Sequence, residues 1–321
     1  MATDKTISPL RVFLWVIPRT NSTVFTKCMS FVDNTEVWME PYMASNLNET
    51  IFSPTWRKGD PAIDKMRSEA KIAEEQSHYK DIKQRELEKV ERYPNVWTQQ
   101  TFSYPWAKKQ LEINPQGKQF VFIKDQSCAI YDYMDYLPDV PTRHAFLIRH
   151  PMETYPSLKN VMINETFIDF GKVSWDESDL TDVVPYLPVK GFFEIHRNMW
   201  KKLKENGGPE PIIIDGHDLA SKPEVVLPKF FAELGIPYKE SYLKWEGDPE
   251  KVYSTWKGSS SFVFFASTNA ATSRAVESTG FAAPSAPRGT KKPQWKLTDE
   301  LKECIEYSLP FYEEMYNHRL A

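Results

Sequence analysis

Cationic and hydroxyl side chains crowd into one short run, Pro18-Arg19-Thr20-Asn21-Ser22-Thr23. These are groups that hold a phosphate. A helix that begins here offers unpaired backbone N–H donors and a partial positive charge, and a bound anion satisfies both, with Arg19 adding a fixed cation. Asn21 stands where a loop of this kind wants glycine, and Asn tolerates positive φ better than most residues. The same residues also read as simple helix capping. G-x-x-x-x-G-K-[ST], the lysine-bearing phosphate loop, occurs nowhere in the chain.

A second anion-binding pair is Arg149 with Ser157, a guanidinium for bidentate contact and a hydroxyl for one further hydrogen bond. For proton transfer the chain offers carboxylates at Glu40 and Asp125, with Lys124 beside the latter. Glu40 also reads as a surface carboxylate or the partner of a nearby cation. His150, His196 and His217 read as structural.

The elements that must position these groups are short apolar runs. Val12 to Ile17 precedes the hydroxyl-rich loop, and apolar residues at Val24, Phe25, Cys28, Met29 and Val32 predict a helix after it. Further strands are expected at Glu36–Glu40, Gln119–Asp125, His144–Arg149 and Pro211–Asp215, three of which deliver charge where the apolar run ends. Near-continuous apolar strands separated by helical stretches predict an α/β fold: a central parallel sheet flanked by helices. Ligands of such sheets bind outside the carboxyl ends of the strands.

Residues 1–321 read as a single domain with a helical insertion at about 60–93, where charged residues surround apolar ones at near-helical spacing (Ile63, Met66, Ala70, Ala73, Ile82, Val90) between Asp60-Pro61 and Pro94. Tyr93, Trp97, Phe102, Tyr104 and Trp106 read as core. From Gly258 to Pro287 small and polar residues suggest a mobile flap, although Phe262 to Phe265 require burial. A last helix starts near Leu297, with Pro310 expected to kink or end it.

Composition narrows the function. With 321 residues, 41% hydrophobic and 26% charged, the chain has the make-up of a globular protein. A net charge of −4 gives no general case for nucleic acid or membrane binding, so any anion binding must be local. Three widely spaced cysteines, Cys28, Cys128 and Cys304, fit a reducing compartment and no metal site. No run approaches the roughly 20 apolar residues that span a bilayer, and a cytoplasmic location is expected.

The two anion-binding segments together resemble the PAPS-dependent sulfotransferase family. Its 5′-phosphosulfate loop reads Pro-Lys/Arg-Ser/Thr-Gly-Ser/Thr-Thr/Ser after the first strand, which Pro18 to Thr23 resembles, with Asn21 in place of Gly. Its 3′-phosphate motif is an Arg at a strand end, Pro two residues on and Ser eight residues on, as in Arg149, Pro151 and Ser157. Pro211–Asp215 through Leu234-Gly235-Ile236-Pro237 is similar to the family's late strand and helix, and Arg288-Gly289 ahead of Trp295-Lys296 loosely resembles its late Arg-Lys-Gly segment. Where cytosolic members read Lys-Thr-His, this chain reads Lys124-Asp125-Gln126, so the histidine base is missing.

The resemblance implies a P-loop-like sulfotransferase fold and in-line transfer of a sulfuryl group from PAPS to a hydroxyl or amine of a small-molecule acceptor, without a metal. PAPS is expected on Arg19, Thr20, Asn21, Ser22, Thr23 and Val24, with Arg149 and Ser157. Arg19 and Lys124 would stabilise growing charge, and Glu40, or in second place Asp125, would take the proton. The alternatives are a nucleotide-binding relative that has lost its base and a P-loop nucleotide kinase or hydrolase.

Overall fold

The computed structural model describes residues 8–75, 77–164, 174–268, 270–290 and 296–320. Trp295 lies outside these residues, as do the side chains of Ala70, Ala73, Ile82, Phe264 and Phe265. Seven parallel strands form one sheet: β1 (Leu10–Val16), β2 (Thr35–Met39), β3 (Val96–Trp97), β4 (Phe120–Gln126), β5 (Thr142–Ile148), β6 (Ile212–Asp215) and β7 (Trp256–Ser259), in the spatial order β3-β7-β2-β4-β1-β5-β6. The α/β class and the parallel sheet are as expected, and the five anticipated strands are β1, β2, β4, β5 and β6.

The helices are α1 (Ser22–Ser30), α2 (Pro41–Glu49), α3 (Pro61–Glu75), α4 (Ser77–Arg92), α5 (Tyr104–Glu112), α6 (Ser127–Ile130), α7 (Pro151–Asn164), α8 (Leu180–Val183), α9 (Phe192–Glu205), α10 (Gly216–Ser221), α11 (Pro223–Leu234), α12 (Pro249–Tyr253), α13 (Ser260–Thr268), α14 (Ala270–Glu277) and α15 (Asp299–Tyr316). Because successive strand side chains point to opposite faces, β1 feeds two cores. Phe13 and Trp15 pack with Tyr155, Phe193 and Tyr312 from α7, α9 and α15, while Val12 and Leu14 pack with Phe25, Phe230 and Val263 from α1, α11 and α13. Charged Arg11, 1% exposed, closes the strand's amino end by donating to the carbonyls of Leu111 and Glu112 at the close of α5 and to Ile113 just beyond.

Three features were not legible in the sequence. The stretch from Gly258 to Pro287 holds the end of β7 followed by α13 and α14, with Val263 fully buried as that run requires. Val96-Trp97, at the edge of the aromatic patch, is a strand because β7 arrives to pair with it. Pro310 does not end α15, which runs on to Tyr316.

His196 on α9 illustrates the dryness of the first core. It is fully buried, its Nδ1 lies 2.6 Å from Ser127 Oγ, and burial pushes its pKa down to about 3. The folded state therefore keeps it neutral, whereas an unfolded histidine protonates below about 6.5. Between those values the unfolded chain binds the extra proton, so this residue makes stability fall as pH is lowered, by about 1.4 kcal/mol per unit. Urea titrations from pH 6.5 to 4 will show a shallower loss of stability in His196→Gln than in wild type. Equal slopes would refute the assignment.

Candidate active site

The carboxyl ends of the strands carry the chemistry. After Val16 the chain turns through Ile17-Pro18 into two left-handed residues, Arg19 (φ 71°) and Asn21 (φ 67°), before α1 begins at Ser22. Outside glycine such conformations cost about 1–2 kcal/mol each, so the surroundings must hold them. Thr20, fully buried, donates its hydroxyl to Ile17 O at 2.8 Å, and Asn21 Nδ2 donates to Gly216 O at 3.2 Å. Gly216 answers a steric demand: a Cβ there would stand 2.7 Å from Thr20 O and 3.3 Å from Ile148 O. The loop is thus pressed against the start of α10, with the N-terminus of α1 just beyond it. Ser22 is buried, Thr23 half-buried, and Val24 packs its side chain on the second core.

Arg149 follows β5 immediately. Its Nη1 donates to Arg19 O at 2.9 Å and its Nε to Glu153 Oε2 at 3.0 Å, while Arg19 Nε donates to Ser157 Oγ at 3.2 Å. Arg19, Arg149 and Ser157, far apart in the chain, therefore form one cluster. Glu153 is its counter-charge. The carboxylate also accepts Gly289 N–H at 2.9 Å and lies 3.8 Å from His217 Nδ1. Burial would raise its pKa, but the Gly289 N–H and the Arg149 guanidinium outweigh burial and hold it below the usual value. Gly289 (φ 68°) leaves no room for a side chain, since a Cβ would stand 2.9 Å from the His150 ring. Its neighbour Arg288 bridges Asp215 and Asp218 at 3.2 and 2.6 Å, and Arg319 reaches Asp218 at 2.9 Å.

Across β1 lies an ion pair. Glu40, left-handed at φ 52°, is the residue between β2 and α2 and the N-cap of α2. Its Oε1 accepts Lys124 Nζ, and its Oε2 accepts Gln126 Nε2 at 3.3 Å. The ion pair is largely enclosed, with side-chain exposures of 5% for Lys124 and 12% for Glu40. Asp125 points to the opposite face. It is fully buried and accepts the N–H groups of Tyr42 at 2.6 Å and Met43 at 3.1 Å, capping α2, with a third bond from Gln126 N at 2.8 Å. Burial, then the Glu40 charge, push its carboxyl up to about 8. β4 separates β1 from β2, so at strand spacings of ~4.8 Å the pair and the anion loop sit roughly 10 Å apart along one edge.

Sequence reasoning named Arg19, Thr20, Asn21, Ser22, Arg149 and Ser157, and the fold brings them to one rim. Glu40 and Lys124 meet as a pair; Asp125 faces away from them. Four participants escaped notice. Glu153 lies one helical turn after Arg149, a spacing that signals an ion pair, and Gln126 alternates with Lys124 along β4. Gly216 and Asp218 carry no local signal, since only the tertiary approach of the loop and of Arg288 gives them roles.

No family model matches the chain. The branched-chain-amino-acid aminotransferase-like protein 1 of Arabidopsis thaliana is 25% identical over 314 residues, 97% of this chain but 42% of that protein, so the chain spans less than half of that relative. Solved structures similar to it include the sulfotransferase domain of the Synechococcus PCC 7002 olefin synthase (TM-score 0.48, 13% identity, covering 98% of this chain and 96% of that one). Others are the sulfotransferase domain of the curacin biosynthetic pathway (0.44, 12%, 94% and 97%) and mouse sulfotransferase SULT7A1 complexed with PAP (0.39, 12%, 97% and 84%). With these TM-scores below 0.5, the reading of the site rests on its own geometry. No helix among the described residues is long and apolar enough to cross a membrane.

Gly216→Ala tests the cradle. A methyl group pressed into Thr20 O must displace the loop backbone, at a cost of about 1–3 kcal/mol. Calorimetric affinity for adenosine 3′,5′-bisphosphate is expected to fall about tenfold or more, while circular dichroism keeps the wild-type helix content. Unchanged affinity would show that the loop does not carry the anion.

Proposed function

We propose that the chain is a sulfotransferase, read as one α/β domain with a helical insertion at about 60–93, that moves the sulfuryl group of PAPS to a hydroxyl or amine of a small-molecule acceptor. One observation carries the reading. The loop cation Arg19 and the strand-end cation Arg149 are joined through Arg19 O and Ser157, so residues 130 positions apart in the chain form a single cradle suited to a nucleotide with phosphates at two places.

In this scheme the α1 N-terminus and Arg19 hold the 5′-phosphosulfate, and Arg149 with Ser157 takes the 3′-phosphate. An acceptor oxygen or nitrogen attacks sulfur from the Glu40 side. The bond from sulfur to the bridging oxygen breaks, its electron pair stays on that oxygen, and adenosine 3′,5′-bisphosphate leaves. Arg19 and the loop N–H groups stabilise the charge that grows there, as fixed donors do for any developing oxyanion. Glu40 receives the acceptor's proton. Lys124, paired with Glu40, shares the load as negative charge crosses the site, in a reaction dominated by positioning and charge neutralisation. Asp125, its oxygens committed to backbone donors, serves α2 instead.

Calorimetry with adenosine 3′,5′-bisphosphate beside magnesium-ATP tests the reading. The bisphosphate is expected to bind, with Arg149→Ala weakening it by about 10- to 100-fold, the worth of a charge-assisted contact. Preference for magnesium-ATP would favour a kinase or hydrolase and overturn the proposal. Glu40→Gln is expected to lower PAPS turnover by about 10²-fold or more while bisphosphate affinity stays within a factor of a few. Full turnover in that variant would remove Glu40 from the base role.

A further inference from the structure

We infer that Gln126 is the positioning residue of the Glu40 base, and that Glu40 Oε2, the oxygen it holds, is the atom that takes the acceptor's proton. The inference rests on the sulfotransferase reading and adds a residue to it. Three observations converge. Lys124 and Gln126, two residues apart on β4, project to the same face, whereas Asp125 between them turns to the other face and caps α2. Their donors divide the Glu40 carboxylate, Lys124 Nζ on Oε1 and Gln126 Nε2 on Oε2. The amide turns its oxygen toward Cys128, whose Sγ lies 3.9 Å from Gln126 Oε1, and its NH₂ end toward Glu40.

The division has a chemical consequence. A carboxylate offers about four lone-pair sites, so one donor on each oxygen fixes the plane of the group and still leaves room for a substrate proton. A cation bound to an oxygen lowers its basicity more than a neutral amide does. Oε1, tied to the ammonium, is therefore the weaker acceptor, and Oε2, tied to the amide, the stronger. Glu40 adopts a left-handed conformation at a strand end, so its carboxylate enters the site from a strained backbone. Two side-chain anchors keep it from swinging.

The test uses the full chain with ¹³C-carboxyl-labelled glutamate. Isotope-edited infrared spectra assign the Glu40 carboxylate stretch by difference from Glu40→Gln, and are then recorded for Gln126→Leu, which removes the donor at similar volume, and Gln126→His, which returns one. Turnover is read with PAPS and 2-naphthol, and nucleotide affinity with adenosine 3′,5′-bisphosphate. Gln126→Leu is expected to move the Glu40 band and to lower kcat about tenfold, the worth of one hydrogen bond. KM for PAPS and bisphosphate affinity should stay unchanged, with Gln126→His recovering most of both effects. An unmoved band in Gln126→Leu overturns the inference, whatever turnover shows. A moved band with unchanged kcat overturns it too. Failure of wild type to bind the bisphosphate instead sinks the underlying sulfotransferase reading, an outcome read on a separate channel from the band.

Discussion

Everything at the strands' carboxyl edge depends on how the chain leaves β1. Two left-handed residues within three positions are an expensive way to turn, and a glycine in either place would have been the cheaper solution. The cost is offset by three bonds around the turn, Thr20 to Ile17 O, Asn21 to Gly216 O, and Arg149 to Arg19 O, of which the Asn21 bond is one that glycine lacks. The last of these matters most, because it makes the strained carbonyl of Arg19 an acceptor for the neighbouring strand's cation. Loop, β5 and α10 are thereby held in one register, and the positions of Ser157, Glu153 and Gly289 follow from it.

A second constraint is the two-residue period of β4. Lys124, Asp125 and Gln126 look in sequence like one polar cluster, yet the pleat sends the middle residue to one core and the outer two to the other. Asp125 then stabilises α2 by satisfying N–H groups that would otherwise be buried without partners. Lys124 and Gln126 are free to converge on Glu40 because β2 runs beside β4 in register, Met39 opposite Lys124. The helix that Asp125 caps begins immediately after Glu40, so the same strand end fixes Glu40 from in front and its helix from behind.

The sheet and the cradle were legible because their signals are local. Apolar runs such as Val12–Ile17 and His144–Arg149 end abruptly in charge, and Arg19, Arg149 and Ser157 carry their chemistry in their type and spacing. What stayed hidden depends on partners distant in sequence. Val96-Trp97 is too short to announce itself and is a strand only because Gly258 and Ser259 pair with it. The helix α13 lacks an amphipathic pattern in sequence, since Val263 and Ala266 sit in a run of apolar and small residues. Asp125 has the residue type of a base, and its capping of α2 was not legible because that depends on which face of β4 it occupies. Gln126 was passed over as the absence of a histidine, although its alternation with Lys124 pointed to the same carboxylate.

The order of the strands has a consequence for synthesis on the ribosome. β3 pairs with β7 alone, and β7 alone joins it to β2, so a strand made early waits for one made some 160 residues later, on the order that makes a contact costly to close. The opposite rim waits longer still, because Arg288 and Gly289 reach back to Asp215, Asp218 and Glu153, and Arg319 reaches Asp218. A nascent chain holding β1, β2, β4 and β5 already owns both cations of the cradle but neither of its walls. During that interval its exposed strand edges are surfaces that a chaperone would recognise, and the rim around Asp215, Asp218 and Glu153 is not closed until translation has passed residue 319.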